Sequence, residues 1–236
     1  MSVDSFKQYL NQTFAISFDN ETLLLEALTQ RNYLNEHPDE TGRDYQRLEF
    51  LGDAVMQETV AEYLFRRYPK WHEGQLTEMR IAMVQTRSFA HFARQVRLNE
   101  AIRLGKGEEM NGARDRDSLL EDIWEAFIGA LYLDQGADTV KRFLDATLFA
   151  AVDTDFFDHF IDFKSRLQEK LQANGPVDID YNTISETILA DNSTCFEASV
   201  SLDDRELARG TGKSIKDAEK AAARKALNSL EDDTTE

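Results

Sequence analysis

The chain has 236 residues, 42% hydrophobic and 30% charged, enough for one or two domains with cores of their own. One cysteine, Cys195, excludes an internal disulfide, and no apolar run approaches the about 20 residues of a membrane helix. The net charge of −17 argues against a uniform grip on nucleic acid, whose binders carry a basic footprint.

Residues 1–150 read as helical. Apolar residues recur at helical spacing in Leu23, Leu24, Ala27 and Leu28, and again in Leu48, Leu51, Val55, Val60 and Leu64. A third helix starts near Glu73 and carries Leu76, Met79 and Met83. A fourth runs from Ser118 to Leu133 and a fifth from Ala137 to Phe149. Breaks fall at His37-Pro38-Asp39, at Tyr68-Pro69, and from Gly105-Lys106-Gly107 through Asn111-Gly112. The pattern changes after Asp153. A short helix, Asp162 to Ala173, stops at Asn174-Gly175-Pro176. Alternating segments follow at Tyr181–Ile188, Cys195–Leu202 and Glu206–Gly212. The middle one places Phe196, Ala198, Val200 and Leu202 on one face, and Asp203-Asp204-Arg205 reads as a hairpin turn. Ser214 can cap a last helix reaching Leu230, with an alanine face of Ala218, Ala221, Ala222 and Ala226. The expectation is an all-α domain followed by an α+β unit of order α-β-β-β-α, with residues 232–236 a disordered acidic tail. Met1-Ser2-Val3-Asp4 lacks the parts of a secretory signal. With the lone thiol this gives a cytoplasmic expectation and no membrane partner.

Charge is unevenly spread. Arg205 to Lys225 holds seven bases and three acids, a local +4 that leaves −21 elsewhere. Residues 1–161 hold 28 acids and 17 bases, a net of −11. A domain that acidic cannot hold a polyanion strongly by counterion release.

Some of the acids are placed for chemistry. In Arg47-Leu48-Glu49-Phe50-Leu51-Gly52-Asp53-Ala54-Val55, Glu49 and Asp53 stand at i and i+4, on one face of an apolar helix. Gly52 between them sacrifices helix propensity, up to about 1 kcal/mol relative to alanine, and lets another backbone or a ligand come close. In Asp122-Ile123-Trp124-Glu125, the two acids stand at i and i+3 on another apolar helix. Facing helices would gather four carboxylates, which repel one another unless a cation or protons sit among them. Hard oxygen ligands select magnesium or manganese over zinc. His37, His72, His91 and His159 lie far apart in sequence, and no Cys/His set has zinc spacing. An acid pair on a helix is also what a solvated face looks like, and the spacing by itself names no substrate.

Arg47 to Val55 resembles the ribonuclease III signature, E-R-L-E-F-L-G-D-[AS]-V. Ser118 to Asp134, which reads SLLEDIWEAFIGALYLD, resembles the second motif of that family, S-x-L-A-D-x-x-E-A-x-x-G-A-x-Y-L-D. The C-terminal unit resembles a double-stranded RNA-binding domain, and together the likeness covers residues 5–230. It implies a helical endonuclease domain at 5–136, a last helix and linker at 137–161, and an RNA-binding domain at 162–231. It implies hydrolysis of double-stranded RNA to 5′-phosphate and 3′-hydroxyl ends. One site per subunit of a homodimer would cut one strand each and leave a short 3′ overhang. The substrates it implies are ribosomal RNA precursors, some transfer RNA and structured messenger RNA.

By the same likeness Glu49, Asp53, Asp122 and Glu125 bind magnesium, for which manganese can substitute, and Asp53 and Glu125 are the least replaceable. Glu73 matches an acid that reaches the partner's site. Phe50 matches an aromatic that packs across the dimer interface, core filling being the plainer alternative. Lys164-Ser165-Arg166-Leu167-Gln168-Glu169 resembles K-[ST]-x-L-Q-E, with Gln168 and Glu169 toward the minor groove. Lys213, Lys216 and Lys220 mark the expected phosphate site at the start of the last helix; a solvated helix face is the alternative for all of these.

Three departures stand out. Gln46 replaces the usual glutamate. Leu189-Ala190-Asp191-Asn192 replaces G-P-x-H. Ile215-Lys216-Asp217-Ala218-Glu219 replaces K-K-x-A-K. Two other readings remain: a non-catalytic RNA-binding relative on the same fold, and a metal-dependent nucleotide phosphohydrolase, which would leave the C-terminal unit unexplained.

Overall fold

The computed structural model describes every residue except Asp155, Asn174, Ala190, Asp204 and 233–236, and only the backbone at Glu231 and Asp232. Contacts divide the chain into two compact units, Met1–Phe160 and Ile161–Glu236.

The first unit is helical: α1 (Val3–Phe14), α2 (Glu21–Ala27), α3 (Arg31–Glu36), α4 (Gln46–Arg67), α5 (Glu73–Val84), α6 (Thr86–Gln95), α7 (Leu98–Ala101), α8 (Lys106–Met110) and α9 (Asp117–Asp145). Helix α9 is the hub and packs on α4, α6 and α2. Its inner face buries Leu120, Ile123, Trp124, Phe127, Ile128 and Leu131 completely. Rings from α1 and α6, and Phe143 from farther along α9, close around it, with Phe6–Phe127 at 6.3 Å, Phe92–Trp124 at 6.1 Å and Phe127–Phe143 at 5.3 Å between centroids.

Gly136 breaks α9 with φ 77° and ψ 179°, a backbone region open essentially to glycine alone. The two helices expected on either side of it are both present and meet at this kink. The second part stops at Asp145 rather than Phe149, where a 3₁₀ turn takes over. Thr147 Oγ1 donates to Phe143 O at 2.8 Å there, and Phe149 stacks on Tyr63 at 3.9 Å. The expected break at Gly105–Gly112 contains a short helix, α8, because Glu36 accepts the Lys106 N–H at 3.0 Å with both carboxylate oxygens.

The second unit contains α10 (Phe163–Gln172), β1 (Ile179–Ile188), β2 (Thr194–Leu202), β3 (Arg205–Gly212) and α11 (Ile215–Asp232). Asp162 caps α10 by accepting Ser165 N–H at 3.1 Å. The antiparallel sheet has order β1-β2-β3. Ala198 and Val200 of the expected inner face are fully buried, while Phe196 and Leu202 are half-buried and Ser199 is buried as well. The register shifts between Val200 and Ser201, which ends strict alternation. In the expected turn Asp203 has φ 47°, Asp204 lies outside the described residues, and Arg205 already pairs with Leu202. Helix α11 lies on β3 through its alanine face: a Cβ on Gly210 would stand 2.1 Å from Ala222 N, and one on Gly212 2.5 Å from Ala218 N. The helix reaches Asp232, one residue into the segment expected as a disordered tail; 233–236 lie outside the described residues.

Candidate active site

Two glycines let α4 and α9 touch backbone to backbone. A Cβ on Gly52 would lie 1.8 Å from Glu125 O, and one on Gly129 2.3 Å from Leu48 O. The contact is reciprocal, and it sets Glu49 and Asp53 opposite Asp122 and Glu125.

The electrostatics record the convergence. Burial, then the charges of Asp53, Glu121, Glu49 and Asp122, push the Glu125 carboxyl up to about 8. Glu49 is raised by burial and by Asp122, Glu121 and Asp53. Asp122 is raised by burial, against the hydrogen bond it accepts from Tyr45 Oη at 2.8 Å. That bond also raises the Tyr45 phenol, after burial. Asp53 stays exposed and accepts from Gln57 Nε2 at 3.3 Å. Among the described residues no three acidic, histidine or cysteine groups are drawn into one coordination shell. The donors are oxygens, they repel one another, and the ones facing inward hold protons more tightly than usual. Such a set fits a hard divalent cation, which would replace those protons.

The other expected residues lie apart from this cluster. Glu73 is exposed at the start of α5, accepts from Thr77 Oγ1 at 2.9 Å, and is not among the leading charges that act on Glu49, Asp122 or Glu125. Phe50 is 83% exposed, which removes core filling as its role. It borders a hollow of ≈ 550 Å³ with an apolar wall of Leu23, Leu48, Leu51 and Leu133 and a polar wall of Glu26, Arg43, Gln46 and Arg47.

In the second unit Gln168 and Glu169 are exposed on α10, and Lys213 and Lys216 around the start of α11. Lys220 is half-buried and its ammonium is lowered by burial. Lys164 pairs with Glu219 at 2.8 Å and sits 4.0 Å over the Tyr181 ring.

A family model described as Ribonuclease-III-like matches residues 20–152, more than half of the chain. The chain belongs to the ribonuclease III family. A second model, the double-stranded RNA binding motif, matches residues 163–230. Among curated relatives, Ribonuclease 3 of Leuconostoc citreum is 81% identical over 98% of this chain and 100% of its own. That of Oenococcus oeni is 60% identical over 97% and 99%. The nuclease domain of ribonuclease III from Campylobacter jejuni aligns with TM-score 0.56 and 34% identity, covering 62% of this chain and 96% of that one. A second structure of that Campylobacter domain, at TM-score 0.52 and 37% identity over 57% of this chain and 90% of that one, shows structural flexibility in a region involved in dimer formation.

One acid escaped the sequence reading. Glu121 accepts from Thr86 Oγ1 at 3.1 Å and raises both Glu49 and Glu125 by its charge. The ribonuclease III motif has alanine at that place, so the departure was visible as a letter. Its position was not, because the hydrogen bond comes from α6.

Proposed function

We propose that the protein is a magnesium-dependent endoribonuclease that hydrolyses double-stranded RNA to 5′-phosphate and 3′-hydroxyl ends. The observation that carries this is the meeting of Glu49, Asp53, Asp122 and Glu125 between two helices locked backbone to backbone, in a chain whose other unit is a double-stranded RNA binding motif. Those four carboxylates would hold the cation, with manganese as a substitute for magnesium. When bound, such ions activate a water and stabilise the attacking and leaving oxygens of an in-line displacement. The chain's own contribution is positional and protonic. Tyr45 Oη orients the Asp122 carboxylate. Glu125, whose carboxyl burial and the neighbouring charges raise to about 8, would hold the cation as its carboxylate.

The exposed Phe50 and the apolar wall of the hollow beside it support a homodimer in which each copy's ring packs on Leu23, Leu48, Leu51 and Leu133 of the other. Glu73 then serves the partner's site. Substrates are ribosomal RNA precursors, some transfer RNA and structured messenger RNA in the cytoplasm. Among the described residues no helix is long and apolar enough to cross a membrane. The deciding assay offers a long perfect RNA duplex in magnesium, beside single-stranded RNA and duplex DNA. Cleavage of the duplex RNA alone is expected; an intact duplex would favour a non-catalytic relative.

The raised carboxyls also bear on stability. Glu49, Glu121, Asp122 and Glu125 all hold protons more tightly folded than unfolded, Glu125 up to about 8. Between pH 6.5 and 8 the metal-free folded chain therefore carries more protons than the unfolded chain, and stability falls as pH rises. His91, lowered by burial, acts in the opposite direction, mainly below that window. Melting in EDTA is expected at a lower temperature at pH 8 than at pH 6.5, with magnesium narrowing the gap. A rise in EDTA would contradict the burial of Glu125.

The Lys164–Glu219 pair predicts an RNA affinity below what the domain can reach. Glu219→Lys removes an acid, adds a base and releases Lys164 at once. Full-length protein carrying it should bind duplex RNA more tightly, with a log–log salt slope steeper by about one to two. Fluorescence titration across potassium chloride concentrations checks this; an unchanged slope refutes it.

A further inference from the structure

We propose that a cleft lined by Arg31, Arg43 and Arg47 is a phosphate subsite that seats a backbone phosphate of duplex RNA beside the candidate active site. The cleft has a volume of ≈ 420 Å³ and is lined also by Asn35, Gln46 and one acid, Asp44. Asp44 is buried and accepts from Arg31 Nε at 2.5 Å. That bond engages one edge of the guanidinium, whose terminal nitrogens remain for a ligand. Arg43 and Arg47 are exposed and make no ion pair among the described residues.

Among the described residues Arg43, Arg47, Arg80, Arg87 and Arg142 make no ion pair in this unit, and two of these five meet on this cleft. Arg66, Arg94, Arg97, Arg103, Arg114 and Arg116 are each matched to a carboxylate. A region with 28 acids in residues 1–161 neutralises those arginines yet leaves two free guanidiniums on one cavity. Guanidinium forks match phosphate oxygens in pairs, and the amides of Asn35 and Gln46 add further donors.

The location gives the cleft its purpose. Asp44 faces the cleft, while the next residue, Tyr45, donates to Asp122. Arg47 is two residues from Glu49, and the charge of Asp44 helps to raise Glu49. Residues 44–49 thus link the cleft to the acids. The acidic site repels RNA until its cation is bound; the cleft offers the strand an adjacent attractive point and fixes its register.

This rests on the double-stranded RNA substrate proposed above. The test uses full-length wild type, Arg43→Ala/Arg47→Ala and Arg43→Lys/Arg47→Lys. Each is titrated with labelled duplex RNA in EDTA over a series of salt concentrations, then assayed for cleavage in magnesium. The alanine pair is expected to weaken duplex binding about tenfold, to flatten the salt slope by about 1.5 to 2, and to raise KM while kcat stays within about threefold. The lysine pair is expected to restore the slope but only part of the affinity. Melting curves matching wild type exclude misfolding as the cause. An unchanged affinity and slope in the alanine pair would overturn the proposal, as would a loss of kcat at constant KM. A free-phosphate site would appear as a wild-type melting shift with inorganic phosphate, absent from the alanine pair, at unchanged duplex affinity; that also overturns it. If wild type neither binds nor cleaves the duplex, the functional reading falls first and the cleft assignment with it.

Discussion

Glutamine in place of Glu125 is expected to reduce duplex cleavage in magnesium by about a thousandfold or more, while duplex binding in EDTA stays within about twofold. The substitution keeps the size of the side chain and removes its charge. Glu125 faces Asp53, Glu121, Glu49 and Asp122, and it already leans toward the neutral form. Glutamine resembles that neutral form, so the metal-free fold tolerates it. The same variant should melt higher than wild type in EDTA at pH 8, because the buried carboxylate that wild type must ionise is gone. Magnesium should stabilise wild type more than the variant. Single-turnover cleavage, titration and melting together separate this from a general loss of structure. Activity within tenfold of wild type would remove Glu125 from the site.

Alanine in place of Gly52 is expected to be among the most damaging single-methyl additions in the chain. The new Cβ would stand 1.8 Å from Glu125 O and 2.5 Å from its carbonyl carbon. Neither atom belongs to a flexible side chain, so α4 and α9 must separate. Overpacking of this kind costs about 3 kcal/mol or more, and it moves Glu49 and Asp53 away from Asp122 and Glu125. Gly107→Ala is the control. Nothing lies within 4 Å of that Cβ, and alanine favours a helix by up to about 1 kcal/mol over glycine. Urea unfolding should show the Gly52 midpoint falling sharply and the Gly107 midpoint holding or rising. A Gly52 variant with wild-type midpoint and activity would contradict the helix contact.

The acid pairs were legible because polar residues at i and i+4, or i and i+3, stand out against Leu48, Leu51, Val55, Ile123 and Phe127. Gly52 was legible as a close approach, though only the structure shows that the approaching atom is Glu125 O. What local sequence could not hold was anything decided by a distant partner. Helix α8 forms in a glycine-flanked stretch because Glu36 caps it from 70 residues away. Glu121, next to Asp122, sits where local spacing gives no hint that Thr86 on α6 will turn it toward the acids. The arginine cleft has the same origin: Arg31 lies on α3, and Asp44 fixes it from outside that helix. In the second unit the alternation of β2 marked Ala198 and Val200 correctly, and the register shift at Ser201 spoiled the pattern at its end.

Both units seat a helix by the same device: Gly52 and Gly129 where α4 meets α9, Gly210 and Gly212 where β3 meets α11. In each case the obstructing atoms nearest the missing Cβ are main-chain atoms of the neighbour. A genetic selection would feel the difference. An ordinary core clash can be rescued by a smaller residue opposite it, but no codon encodes a shorter carbonyl or amide. Loss-of-function alleles at these glycines should therefore revert to glycine itself, and allele-specific suppressors on the facing helix should be absent.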